Sequence, residues 1–418
     1  MEHKMDRRDF IKLMAATTAV AAEGSRIFAD DAQKKQEEKM KVPERNRRPY
    51  NDVDWEHSFQ IHTTSHGHCI NQRQMDGYLK RGFGLLTLSN YYPSAPYCPA
   101  GKMTVNYYRV HHDFPVMVNG LRTDGPFDWN KIVEPWIGEV EEKYRDAFPF
   151  KEGGPLFNPL PEGILEAPNA EHHGFIGSPT HLCAPGSAFA SGTFDARNFY
   201  KSMSHGYHFG SGEPWRLAVD RMIDGLIYPD GGGVTINHPA WSRLKYDHLM
   251  ELLDHDPRVL GIEVYNQGCV KSEMYPWSKA YCEDYWDYAL GLGRQCFGFF
   301  VPDWSVTEGT NVLIVKEKTV HECLKAYRQG NWFGAIKGRG ILNFTNIHFD
   351  GAMLLAKTDK KARFQVISKE GVVSETESDK LDFKIAKEDY RKHIFLRIKA
   401  FATDDSGEII YSQPFMLD

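Results

Sequence analysis

Five short segments of this 418-residue chain share one pattern: each is an apolar strand that leads to a side chain able to bind a metal. They are Phe59–His62 with His68 beyond it, Glu171 with His181 ten residues later, Val234–His238, Leu260–Glu263 and Phe297–Asp303. Parallel α/β barrels carry their chemistry on the loops that follow their strands. Histidines and carboxylates gathered there are typical metal ligands. The pattern therefore predicts an α/β fold with a metal site at the ends of its strands.

Residues 53–340 alternate between short apolar strands and helical stretches, as βα repeats do. Four helices are predicted from apolar periodicity: Gly212–Ile227, Tyr246–Leu253, Pro276–Leu292 and Thr319–Gln329. The stretch from Ser94 to Pro161 is rich in Pro, Gly and Trp and fits this alternation poorly. We interpret it as an inserted loop region with one helix near Val133–Tyr144. The alternation indicates one large α/β domain.

Residues 341–418 have a different pattern, in which apolar and polar residues alternate. Examples are Phe344–Phe349, Ala362–Ile367 and His393–Lys399. This period of two is typical of antiparallel strands with one buried face. We therefore predict a small C-terminal antiparallel β-domain, similar to a β-sandwich.

The N-terminus is predicted to be a targeting signal rather than part of the fold. Asp6-Arg7-Arg8-Asp9-Phe10 resembles a twin-arginine motif, and the apolar stretch Leu13–Ala22 follows it. That stretch is too short to anchor the chain stably in a bilayer. We expect residues 1–30 to be a signal peptide, residues 31–52 a charged linker, and the mature protein to be periplasmic.

Composition narrows the possible partners. The net charge of −6 and the absence of a basic cluster with interleaved aromatics argue against nucleic-acid binding. The seven cysteines are scattered without a C-x-x-C pair, so a disulfide framework or zinc ribbon is not predicted. Cys69 and Cys183 lie near His68 and His181, but buried apolar packing is the simpler interpretation for both.

The strand ends resemble motifs of the PHP (polymerase and histidinol phosphatase) family, in particular its exported CehA-like members. That family begins with an H-x-H-T motif and a further histidine six residues later. His62, Thr63 and His68 match part of it, with Gln60 in place of the first histidine. The family also has a T-D-H motif and a final D-x-H motif. In this chain Ser89-Asn90-Tyr91 stands in place of the first, and Asp303-Trp304-Ser305 in place of the second. The resemblance covers about Asp54 to Gly340 and implies a distorted (β/α) barrel.

The resemblance also implies a set of ligands. The segment Asn169-Ala170-Glu171-His172-His173 resembles the family's third motif. Glu171 would bridge two metals there, and Glu166, His172 and His173 are the alternatives if the register differs. His181 and His238 would hold one ion with Glu171, and His62 and Asp303 would hold another. His68 retains only part of a third site, so one or two divalent ions are expected, zinc or manganese being the preferred candidates.

Further roles follow from the same resemblance. Glu263 and Asn266 would support the ligands from behind, and His68, Tyr91 and Asp303 are the candidate catalytic residues. Solvated or substrate-facing roles are expected for the other loop histidines, which are His66, His111, His112, His205 and His208.

The implied function is a metal-dependent hydrolase, most simply a phosphoesterase acting on a small-molecule or oligosaccharide-like substrate. Two alternatives stay open. The replaced third-metal ligands suit a hydrolase of a non-phosphate ester or carbohydrate bond, and they also suit an inactive ligand-binding protein. The oligomeric state does not follow from the sequence.

Overall fold

A computed structural model describes residues 47–69, 71–90, 100–102, 155–189, 214–270, 279–337, 340 and 342–417. The predicted signal peptide, most of the predicted insertion, Tyr91 and the loop residues His111, His112, His205 and His208 lie outside these ranges. The described helices are α1 (Gln72–Lys80), α2 (Trp215–Asp224), α3 (Pro239–Ser242), α4 (Tyr246–His255), α5 (Glu283–Gly291), α6 (Val320–Gln329) and α7 (Tyr390–His393). Short 3-10 turns occupy Ala100–Lys102, Gln267–Cys269 and Lys387–Asp389.

The described strands, numbered in chain order, are β1 (Phe59–Thr63), β2 (Phe83–Leu86), β3 (Leu165–Glu166), β4 (Glu171–His172), β5 (His181–Cys183), β6 (Val234–Asn237), β7 (Val259–Asn266), β8 (Phe297–Val301), β9 (Thr310–Val315), β10 (Trp332–Ile336), β11 (Phe344–Phe349), β12 (Met353–Ser368), β13 (Gly371–Lys384), β14 (Phe395–Ala402), β15 (Ile409–Tyr411) and β16 (Phe415–Met416). The chain is thus a mixed α/β protein, as the sequence predicts.

Local signals set the helix ends. At the start of α6 the Thr319 side chain accepts a hydrogen bond from the Glu322 N–H, and Gly330 ends the helix at φ +79°. A hydroxyl cap and a left-handed glycine satisfy the free N–H and C=O groups of a helix terminus. Asn71 caps α1 in the same way through the Gln74 N–H. The helices predicted near 212–227, 246–253 and 319–329 are present with shifts of one to three residues at their ends, whereas the one predicted over 276–292 begins only at Glu283, and residues 276–278 lie outside the described ranges.

The strands form two mixed sheets. One has the order β11-β12-β14-β15-β10-β9-β1-β2-β3, with β13 on β12 and β16 on β14. The other has the order β4-β5-β6-β7-β8. Among the described strands, parallel pairing is limited to β1–β2–β3 and β6–β7–β8. The described pairings therefore show a mixed α/β fold but not the closed (β/α) barrel that the sequence predicts.

One reason for this departure is the direction of β9. It runs antiparallel to β1, with Ile61 opposite Leu313, whereas neighbouring strands of a (β/α) barrel are parallel. Strands β8 and β9 meet through a side chain: the Asn311 Oδ1 accepts a hydrogen bond from the Phe300 N–H at 2.9 Å. The loop after β8 is linked to the loop after β1 by a bridge between Asp303 and Gly67. The two sheets therefore come together beside the predicted site.

The C-terminal strands continue the first sheet. Strand β15 pairs with β14 on one side and with β10 on the other, where Ala335 lies opposite Ile410. The core follows the same continuity, since Val312 and Phe333 share one apolar cluster with Phe364 and Ile398. The antiparallel strands predicted after residue 340 are present, but the strand pairing shows no boundary there.

The end of the predicted linker packs against the folded chain. The Arg47 guanidinium donates to the carbonyls of Arg328 and Pro257 at 2.6 and 2.7 Å. Tyr50 is buried and its hydroxyl donates to the Trp332 carbonyl at 2.6 Å. Residues 47–52 are therefore part of the fold. Six cysteines, all except Cys98, are described, and each is buried and unpaired. Within the described ranges no helix is both long and apolar enough to cross a membrane.

Prediction: Arg397 fastens the C-terminal strands to α5. Its guanidinium is 2% exposed and donates twice to Asp287, at 2.9 Å each, and once to Glu283 at 3.1 Å. Replacing it by methionine leaves these carboxylates without their cation, so we expect a loss of about 2 kcal/mol in the free energy of unfolding, because the carboxylates keep some access to water. Urea denaturation measures this loss.

The matched control is Arg363→Met, which breaks an exposed pair with Glu375 on the same sheet and should change stability by less than about 0.5 kcal/mol. Burial raises the pKa of Glu283, but Arg397 and Lys399 outweigh it and hold that pKa below 4.5. The stabilisation from Glu283 is therefore complete above pH 4.5 and lost as the pH falls through its folded pKa. Equal losses for the two variants would contradict this role. So would a stability difference between wild type and Arg397→Met that does not become smaller at acid pH.

Candidate metal centre

The loop after β1 brings two histidines into the site. His66 and His68 are both completely buried, and Gly67 between them forms the bridge with Asp303. The Gly67 N–H donates to the Ser89 hydroxyl at 2.9 Å, the His68 N–H donates to the Asp303 carbonyl at 3.0 Å, and the Asp303 N–H donates to the His66 carbonyl at 3.1 Å. A Cβ at position 67 would clash with the Tyr78 hydroxyl. Glycine there lets the loop pack closely enough to present both imidazoles.

Glu171 lies at the centre of the cluster. Its Oε1 is 2.6 Å from His181 Nδ1 and 3.5 Å from His238 Nε2. Its Oε2 is 3.0 Å from His68 Nε2 and 3.3 Å from His66 Nε2. Each carboxylate oxygen therefore faces a different pair of histidines.

Asp303 completes the side of the cluster that contains His66 and His68. Its Oδ1 is 3.3 Å from His66 Nε2 and 3.5 Å from His68 Nε2. Two sets of ligand atoms lie within 4.8 Å of one another: His66, His68 and Asp303 in one set, and His66, Glu171 and His238 in the other. All these residues are buried. His66 is common to both sets.

Glu263 and Asn266 lie behind the clustered histidines on β7, whose eight residues are all buried. The Glu263 Oε1 is 2.7 Å from His66 Nδ1. Its Oε2 accepts the His238 backbone N–H at 2.7 Å and the Asn266 side-chain amide at 2.8 Å. With Nδ1 donating to Glu263, the Nε2 lone pair of His66 faces the cluster, as a metal-ligating histidine requires.

Two site residues have backbones that non-glycine residues rarely adopt. His238 has φ +26° and Asp303 has φ +53°. Such conformations cost about 1–3 kcal/mol each and tend to occur at functional sites, held by the surrounding structure. Here the Glu263 carboxylate holds the His238 N–H, and the loop around Gly67 holds Asp303.

The electrostatics are those of a buried anionic site. Burial alone raises the pKa of the Glu171 carboxyl, but the charges of His66 and His181 outweigh it and hold that pKa well below its usual range. Burial opposes protonation of His66, yet Asp303 and Glu171 raise its pKa well above 6.5. Burial lowers the pKa of His173, beside His181, to about 3.

These residues fit a divalent cation. Glu171, Glu263 and Asp303 are buried carboxylates, and within the described ranges their ion-pair partners are imidazoles rather than Lys or Arg. Buried carboxylates normally need a charged partner or a metal. A mixed set of imidazole nitrogens and carboxylate oxygens suits zinc and other first-row divalent ions.

The structure brings most of the sequence-predicted residues together. His68, Glu171, His181, His238 and Asp303 are in contact, although His181 belongs to neither compact set of ligand atoms. The alternatives to Glu171 in its motif belong to neither compact set of ligand atoms. Glu166 accepts a hydrogen bond from the Ala100 N–H at 2.7 Å, His172 stacks on Phe189, and His173 packs beside His181.

His62 requires a correction. It pairs with Phe83 and Val312 inside the sheet and belongs to neither set of ligand atoms, and burial lowers its pKa to about 4. His66, one of the loop histidines for which a solvated or substrate-facing role is expected, is completely buried and belongs to both sets instead. The signal was present, because His66-Gly67-His68 is itself an H-x-H sequence. The strand ends at Thr63, so the ligands lie farther along the loop than the predicted register puts them.

No family model and no curated protein matches this chain. Among solved structures, it is similar to a two-domain protein from Bacteroides vulgatus ATCC 8482 that contains a predicted PHP-like metal-dependent phosphoesterase. The two share 10% sequence identity with a TM-score of 0.36, over 87% of this chain and 95% of the other. This likeness is too weak to support conclusions about fold or function, which depend here on the geometry of the site itself.

Prediction: His66→Ala should weaken the binding of one zinc or manganese ion by at least about 100-fold, since His66 belongs to both compact sets of ligand atoms and its Nε2 can hold one ion. His62→Ala is the matched control, a nearby histidine outside both sets, and should bind the metal as the wild type does. Competition with a chromophoric chelator measures both affinities. A loss in His62→Ala with none in His66→Ala would restore the register predicted from the sequence.

Proposed function

We propose that this chain is a metal-dependent hydrolase that cleaves phosphate esters. The observation that supports it best is the position of Glu171, whose two oxygens face different pairs of histidines. A carboxylate in this position is suited to bridge two cations. His66, His68 and Asp303 would hold one of them, and His238 with His181 the other, with Glu171 common to both. Zinc and manganese are the preferred ions.

The chain's own residues would prepare the reaction. A bound divalent cation supplies Lewis acidity toward a phosphoryl oxygen and makes water a stronger nucleophile. Glu263 fixes the tautomer of His66 and holds the backbone of His238, so the ligand geometry is set before substrate arrives. Tyr91 is the proposed donor of a proton or a hydrogen bond to the leaving oxygen, a role expected also of His68 that His68 gives up as a ligand.

The proposed substrate is a small molecule or an oligosaccharide-like compound, with no role for nucleic acid. Hydrolysis of a carboxylic ester or a glycosidic bond, and ligand binding without catalysis, are the alternative outcomes of the assay described next.

Prediction: Glu171→Gln should lower kcat/KM on p-nitrophenyl phosphate or bis-p-nitrophenyl phosphate by more than about 100-fold, because the amide gives up the charge shared by both sides of the cluster. Glu166→Gln is the matched control, since Glu166 is partly buried but binds the Ala100 N–H instead. Release of p-nitrophenol by metal-replete protein measures the rate.

Three results would contradict the phosphoesterase proposal. Turnover of p-nitrophenyl acetate alone would favour another hydrolase. No turnover of any substrate by protein that binds metal would favour a binding protein. Equal losses in the two variants would remove Glu171 from its proposed role.

We also propose that the mature protein is exported to the periplasm by the twin-arginine pathway, as the Arg7-Arg8 motif suggests. Prediction: replacing both arginines by lysine should retain the protein in the cytoplasmic fraction, because the pathway recognises the arginine pair. Fractionation with immunodetection measures this. Unchanged export of the Lys-Lys variant would contradict the proposed route.

A further inference from the structure

Trp304 lies at the boundary between the metal centre and solvent. Its indole stacks on the His68 ring, with centroids 4.0 Å apart and planes at 15°. His68 is completely buried, whereas Trp304 is 40% exposed. The indole therefore covers the imidazole, while Trp304 itself stays partly accessible to solvent beside the cluster.

The loop that carries Trp304 is fixed at several points. Asp303, the preceding residue, is held by hydrogen bonds to the loop of His66 and His68. The Ser305 N–H donates to the Pro302 carbonyl at 2.9 Å, which closes a turn around Asp303 and Trp304. Farther along, the Tyr265 hydroxyl donates to Glu308 at 2.7 Å. An aromatic surface held in place by the fold loses little conformational freedom when a ligand binds.

A second tryptophan flanks the other side of the cluster. Trp241 lies edge-on to the rings of His238 and His181, with centroids 4.9 and 5.3 Å away. It is partly buried. The cluster therefore has an indole beside His68 and another beside His238 and His181.

We propose that Trp304 forms a ring-binding subsite beside the metal centre, and that the preferred ligands are phosphate monoesters whose leaving group carries a ring. The ring face stacks on the exposed indole while the phosphoryl group lies at the cluster. Aromatic and sugar rings share this chemistry, because both present a flat C–H or π face. The subsite rests on the proposed function, since it names the substrate class of the same centre.

The test compares two non-hydrolysable ligands of equal charge, phenylphosphonate and propylphosphonate, binding to the metal-replete full chain in calorimetry. Wild type should bind the phenyl ligand about three- to tenfold more tightly, the range of an aromatic contact. Trp304→Ala should bring this ratio close to one, and Trp304→Phe should keep most of it. Glucose 1-phosphate and p-nitrophenyl phosphate, compared by KM in both proteins, distinguish a sugar from an aromatic ligand.

Tyr246→Ala is the control for loss of an exposed aromatic side chain, since Tyr246 packs against Tyr285 and Tyr288 rather than against the cluster. It should keep the wild-type ratio. Metal titration of Trp304→Ala should give wild-type affinity, which separates a lost ring contact from a damaged centre.

An unchanged ratio in Trp304→Ala, a ratio of one in wild type, or no binding of either phosphonate would overturn the subsite. A preserved ring preference without hydrolysis of any substrate would instead overturn the hydrolase proposal and leave the subsite standing.

Discussion

The burial of three carboxylates among imidazoles is the constraint on which the arrangement of this site depends. Glu171, Glu263 and Asp303 come from three separate parts of the chain, and their described ion-pair partners are histidines. Burying such charges is unfavourable unless they are compensated. The same field that favours a proton on His66 would favour a divalent cation in its place. The cluster is thus better suited to holding a cation than to stabilising the fold by itself.

That cluster exists because loops from two sheets are linked directly. The bridge between Gly67 and Asp303 joins the end of β1, in the large sheet, to the end of β8, in the small one. Strand β7 contributes Glu263, which reaches both His66 and the His238 backbone. A ligand set distributed in this way depends on the relative position of the sheets. The positive φ angles of His238 and Asp303 are maintained by these same hydrogen bonds.

The sequence predicts what local chemistry determines and misses what distant pairing determines. Helix α6 follows from Thr319 and Gly330, and the strand ends at His238 and Asp303 follow from short apolar runs. The position of His66 depends instead on bonds that His66 and Gly67 make to Ser89, Asp303 and Glu263, residues 23 to 237 positions from His66 along the chain. The antiparallel β9 and the pairing of β15 with β10 are equally non-local. Periodicity reveals which residues share a face of a strand, but not which strand becomes its neighbour.

The C-terminal strands contribute to the site through β8, the strand that leads to Asp303 and Trp304. The Gln413 side chain accepts from the Gly298 N–H at 2.8 Å and donates to its carbonyl at 3.1 Å, occupying a backbone position that a further strand would otherwise fill. Tyr411 packs on Phe300 with ring centroids 4.6 Å apart. Because β8 is an edge strand of the small sheet, these contacts satisfy backbone groups that would otherwise be unpaired in a buried setting. The position of Asp303 therefore depends on residues more than one hundred positions later, and the C-terminal strands are part of the framework that positions the candidate metal centre.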